Sequence, residues 1–199
     1  MRFYKLLSTI LHPIVIPTIG VMLYFLLIPN GFLHDEKLTI LSLVFVVSYI
    51  IPLLILIILK KLKIVKTYQT ESIKERKLPI ALMIIVFYLL GNWFNSIADF
   101  RDLGLLFYAT SLGLFLIYIL FPFKIKASVH LLSFGISIGF FIVLSRIYEQ
   151  SYTIVIITLL LLGGLLASAR LHLKAHTPKE IYIGFFIGVL AIFSLSYLL

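Results

Sequence analysis

Residues 38–59 run for 22 positions without a charged side chain. A helix of that length, rising about 1.5 Å per residue, crosses the ~30 Å hydrocarbon core of a bilayer. Six further segments read the same way: roughly 11–29, 80–98, 103–122, 128–146, 152–169 and 181–199. Each span in lipid must satisfy its own backbone hydrogen bonds, so the chain is confined to helices. The fold class expected is therefore all-α, a polytopic transmembrane helical bundle of about seven spans. Composition agrees with this: 62% of the 199 residues are hydrophobic, 13% are charged and the mean hydropathy is +1.16. That is more apolar surface than a soluble domain of this size can hide. The absence of cysteine excludes a disulfide framework and a thiolate metal site. Arg2 and Lys5 precede an apolar run containing His12, Pro13 and Pro17, with no small-residue cleavage site, so the N-terminus reads as a retained helix.

The net charge of +9 would suggest nucleic acid in a soluble protein. Here the basic residues sit in short segments between apolar runs, so they report membrane orientation, with membrane lipids and no nucleic acid as partners. With seven spans, the face holding the N-terminus and residues near 60–79, 123–127 and 170–180 carries 14 Lys and Arg, and the other face carries 3. The positive-inside rule puts the 14-cation face in the cytoplasm, in a protein of the plasma membrane.

Three polar clusters fall on that face. They are "KERKLP" (Lys74–Pro79), "KIKASVH" (Lys124–His130) and "SARLHLKAHTPKE" (Ser168–Glu180). Together they offer cations, histidines, carboxylates and a serine, an inventory that suits a phosphate ester. Arginine and lysine neutralise and orient phosphoryl oxygens. A helix N-terminus supplies free N–H groups to the same anion. One histidine can attack phosphorus and another can protonate the leaving oxygen.

Arg170, His176 and Glu180 are spaced R-x5-H-x3-E. This resembles the third motif, S-R-x5-H-x3-D, of the type 2 phosphatidic acid phosphatase (PAP2) superfamily. "ASVH" resembles its second motif, P-S-G-H, keeping Ser128 and His130, and "KERKLP" looks like a degenerate first motif, K-x6-R-P. The resemblance runs from Lys74 to Glu180 and on into the last helix. It implies one integral membrane domain over 1–199, with N-terminal helices in 1–73 and a PAP2-like core in 74–199. It implies an enzyme, a phosphatase or phosphotransferase acting on a lipid phosphomonoester or pyrophosphate with no metal or cofactor. By motif position, His176 would be the nucleophile, Glu180 its orienting carboxylate and His130 the general acid. Arg170 and Ser128 would hold the phosphate, with Arg76, Lys77 and Lys74 completing the clamp. A bell-shaped pH dependence would follow from the two histidines. Departures from the pattern are Glu180 for Asp, Ala127 and Val129 for Pro and Gly, and Ser168 displaced by one from the arginine. They motivate the alternative function, a catalytically decayed relative that binds lipid phosphate or a protein partner without turnover. A small transporter would place charges in mid-span; the polar clusters here lie at span ends.

The same residues also carry structural readings. Thr177, Pro178 and Glu180 form a capping box, and a cap at that turn would also fix His176 just outside the helix. Lys174 and Lys179 read as interfacial anchors, His172 as interfacial, and His12 as part of a kinked helix entrance. His34 reads as solvated on the other face. Lys60 to Lys66 read as headgroup-facing. The pair His172 and His176 lacks the helix and glutamate that a zinc site would need. Gly135 and Gly139, and likewise Gly184 and Gly188, are four apart, which predicts that the fifth and seventh spans pack closely and bring His130 near His176. Gly163 and Gly164 would draw in the sixth span.

Overall fold

The computed structural model describes residues 1–68 and 72–198. Among them the chain forms eight helices: α1 (Arg2–Ile10), α2 (Ile16–Leu27), α3 (His34–Lys61), α4 (Ile73–Asn95), α5 (Ala98–Ile119), α6 (Val129–Ile147), α7 (Thr153–His172) and α8 (Pro178–Leu195). Six of these, α3 to α8, are long and apolar enough to cross a membrane. The chain is therefore an all-α protein with the features of an integral membrane bundle. Large apolar side chains such as Leu54, Ile58, Ile154 and Leu161 point outward from α3 and α7, where lipid would meet them.

The first expected span, 11–29, is not a continuous helix. The chain leaves helical geometry from Leu11 to Val15 and divides into α1 and a 12-residue α2. At about 1.5 Å per residue α2 is roughly 18 Å long, well short of the hydrocarbon core. Pro13 lies at the break, where its missing N–H and fixed φ oppose continuation. In α1, Ser8 is buried while Phe3, Leu6 and Ile10 are exposed at helical spacing, so the helix turns an apolar stripe outward.

The start of α4 also differs from the reading of 80–98. Ser72 accepts from the Glu75 N–H, the Glu75 carboxylate faces back to the cap, and the helix begins at Ile73. "KERKLP" therefore lies inside the helix, in its first two turns. A hydropathy window starts a span where charges stop, whereas the cap starts the helix where the backbone turns.

The close pairing of α6 with α8 is as the glycines predict. A Cβ at Gly184 would strike the Ser128 carbonyl oxygen, and one at Gly188 the Leu132 carbonyl oxygen. At Gly135 it would strike the Phe185 carbonyl, and at Gly139 the Ile192 side chain. The two backbones thus lie in direct contact along both motifs. A Cβ at Gly163 of α7 would meet Phe134, at 3.4 Å, and one at Gly164 would meet nothing within 4 Å among the described residues, so α7 contributes one glycine to this packing and not two. At the far end of the bundle Asp102 accepts from the hydroxyls of Tyr148 (2.6 Å) and Tyr24 (3.3 Å), which ties α5, α6 and α2 together.

Candidate functional site

At the opposite end a cavity of about 620 Å³ opens among α1, α2, α3, α4, α5, α6 and the α7–α8 turn. Its polar part is lined by Ser8, His12, Arg76, His130, Arg170 and His176. Lys5 and Thr9 line it too, and its remainder is mostly apolar, with the hydroxyls of Ser48, Thr110, Ser133 and Ser137 among residues such as Met83, Phe87, Leu106 and Ile136 between the helices. From Arg76 to Phe87 along α4 is roughly 16 Å at the α-helical rise.

The R-x5-H spacing is converted into proximity by one turn. Helix α7 ends in a Schellman motif: Ala175 N donates to the Arg170 carbonyl (3.1 Å) and Lys174 N to the Leu171 carbonyl (2.9 Å), with Lys174 at φ 52°. This reverses the chain within five residues, so Arg170 and His176 line one cavity. The ends of α3 and α5 close in the same way, with Lys63 and Lys124 at φ 59°. Those three lysines complete helix C-termini, where a cation also complements the dipole. Lys174 and Lys179 are exposed, in agreement with their reading as anchors.

His176 is 7% exposed. Its Nδ1 lies 3.0 Å from the Lys126 carbonyl oxygen and 3.5 Å from Glu180 Oε2. A carbonyl oxygen only accepts, so Nδ1 carries the proton and Nε2 carries the lone pair. Burial pushes the His176 pKa down to about 4, with Arg76 and Arg170 adding to the effect and Glu180 opposing it. The ring is therefore neutral at neutral pH. Glu180 has two roles at once. It completes the capping box with Thr177 and accepts from the Thr177 N–H (2.8 Å), and its Oε1 accepts from the Lys126 N–H (3.2 Å). The carboxylate thus holds the Lys126 segment against α8, and the Lys126 carbonyl in turn is the nearer partner of His176.

His130 shows the complementary arrangement. Its Nε2 lies 3.4 Å from the Ser8 carbonyl oxygen, so in this contact the proton sits on Nε2. Arg170 donates from Nη1 to Ser8 Oγ (2.8 Å), and among the described residues its buried Nε has no partner. Such an orphaned donor is what an incoming anion would satisfy. The first turn of α6 has no side-chain cap, and Val129 and His130 of that turn line the cavity.

Of the three basic residues of the first cluster, only Arg76 lines the cavity. It lies on the buried stripe of α4 with Ile80 and Phe87, while Lys74 and Lys77 fall on exposed faces. Ser128 is fully buried but is not among the lining residues. Its N–H donates to the Glu180 carbonyl (3.0 Å), and its hydroxyl has no partner among the described residues. Ser8 and His12 join the cavity without any sequence motif to mark them. His172 is outside it, with its ring 4.3 Å from that of Tyr4. Compared with protein-family profiles, curated proteins and solved structures, the chain matches none.

Proposed function

We propose that the protein is a membrane lipid phosphatase or phosphotransferase that works through a phosphohistidine, in the manner of the type 2 phosphatidic acid phosphatases its motifs resemble. The observation that carries this reading is His176. It is a buried, neutral imidazole whose Nδ1–H is held by a backbone carbonyl, in a cavity with two guanidinium groups and two further histidines. The shape of the cavity supports this reading, with a cationic end that suits a phosphate and a mostly apolar cleft that suits a lipid tail.

In the proposed reaction Arg170 and Arg76 hold the phosphoryl oxygens and stabilise the charge that develops on them. Nε2 of His176 attacks phosphorus, and the P–N bond forms as the P–O bond to the lipid breaks. The leaving oxygen takes a proton from His130, which acts in its imidazolium form and is left as the neutral ring. Water then cleaves the P–N bond, returns a proton to His130 and releases phosphate; an acceptor alcohol in place of water gives phosphotransfer. Glu180 acts as a positioning residue by fixing the Lys126 segment.

The test is phosphate release by the purified protein in detergent, from a panel of lipid phosphates and pyrophosphates with EDTA present. Release that survives EDTA supports the histidine mechanism; release that EDTA abolishes overturns it. The pH profile adds a second measurement. The pKa of His176 is lowered, so the attacking form exists above about pH 4 and is lost as pH falls through that value. The acid limb of kcat/KM is therefore expected near pH 4, with about tenfold loss per unit below it. A limb at the ordinary histidine value would count against this ring as nucleophile.

The second reading, an anion-binding protein without turnover, rests on Ser128. With its N–H committed to Glu180 and its side chain off the cavity wall, the second motif contributes His130 as its one polar lining side chain, beside Val129. No release from any lipid, with phosphate still bound, would select it. For orientation, we place the site at the cytoplasmic face on the asymmetry of 14 cations against 3. A cysteine at the exposed position 63 is expected to resist an impermeant thiol reagent in intact cells and to react after lysis. Labelling in intact cells would invert the topology.

A further inference from the structure

His12 belongs to no motif and lies 62 residues before the first of the three polar clusters. It occupies the break between α1 and α2, the point where the first pass gives up its helix, and it lines the cavity. Its ring stands edge-on to that of His130, with centroids 5.1 Å apart. The Ile14 N–H donates to its Nδ1 (3.4 Å), so that nitrogen is an acceptor and the neutral ring carries its proton on Nε2. Among the described residues nothing accepts from that Nε2. Burial, aided by Arg170, holds the His12 pKa down to about 4, so the ring is a neutral donor beside the two arginines and not a third fixed cation.

These observations share one explanation. We propose that His12 is a substrate-contacting residue, donating from Nε2 to the anionic headgroup on the His130 side of the site. This rests on the phosphate-binding reading given above and adds the N-terminal segment to it. The break in the first pass then has a use: it brings a side chain to the site from an element that a continuous helix would carry past it. Ser8, one turn earlier, positions Arg170 and His130 from the same segment.

Two near-isosteric replacements separate this role from packing. Asparagine at 12 keeps an acceptor where Nδ1 stood, for the Ile14 N–H, but has no group at the position of Nε2. Glutamine places an amide N–H close to the position of Nε2. The probe is inorganic phosphate, titrated calorimetrically into the full-length protein in detergent, with His172→Asn and Arg170→Ala as comparators. His12→Asn is expected to weaken phosphate binding about tenfold to a hundredfold, the usual loss for one hydrogen bond to a charged group. His12→Gln is expected to stay within about threefold of the wild type and His172→Asn to match it. If His12→Asn binds as the wild type does while Arg170→Ala fails, His12 is a packing residue and the phosphate site stands without it. Equal loss in the Asn and Gln variants would likewise overturn the proposal, since ring packing would then be what matters. If the wild type itself binds no phosphate, the anion site fails, and the role of His12 with it.

Discussion

Replacing His176 by alanine is expected to lower phosphate release by on the order of 10⁴-fold or more, the scale on which loss of a covalent nucleophile acts. Phosphate affinity should change little, because Arg170 and Arg76 remain. The alanine variant also removes the hydrogen bond to the Lys126 carbonyl, 3.0 Å long, so on its own it mixes chemistry with structure. His176→Asn resolves this. Its amide N–H can still donate to Lys126, but it offers no nucleophile. The expectation is that both variants lose release equally while His176→Asn keeps the stability of the wild type. Release from either variant at the wild-type rate would exclude a phosphohistidine at this position. Trapping a covalent phosphate that is stable to base and labile to acid in the wild type, and absent from both variants, would make the positive case.

The second large effect is expected from a single methyl group. At Gly184 a Cβ would strike the Ser128 carbonyl oxygen and lie 3.0 Å from the Ser128 nitrogen. Backbone atoms cannot rotate out of the way, so in Gly184→Ala helix α8 must move off α6. Overpacking of this kind costs about 1–3 kcal/mol. The displacement falls at the cavity end of the bundle. It opens the Ser128 N–H to Glu180 carbonyl bond and carries the His176 turn away from His130. A shift of about 1 Å between reacting groups can cost roughly 10²-fold in rate, so release should fall by about that factor even in protein that remains folded. Gly164→Ala is the control. Nothing lies within 4 Å of the added carbon there, so stability should stay within about 0.5 kcal/mol and release should be unchanged. Thermal unfolding in detergent and phosphate release check both. Equal behaviour of the two variants would mean that the α6–α8 contact does not set the site.

What the sequence determined by itself is whatever depends on neighbours along the chain. Span length follows from hydropathy, because the bilayer imposes one thickness on every helix. The cap at Thr177–Glu180 is local hydrogen bonding, and the R-x5-H pairing of Arg170 with His176 is closed by a turn of the same few residues. The glycine pairs on α6 and α8 were legible because four-residue spacing puts both on one face of a helix.

Only the tertiary structure decided which of Lys74, Arg76 and Lys77 meets the cavity. That choice depends on where α4 starts and how it is rotated, and the cap at Ser72 and burial of the Ile80–Phe87 stripe set both. It likewise placed Ser128 behind the wall, because a motif specifies spacing and not which side chain the neighbouring helix covers. Ser8 and His12 were beyond sequence reasoning for the same physical cause. They reach the cavity across more than a hundred residues of chain from His130 and Arg170, and packing alone creates contacts at that separation.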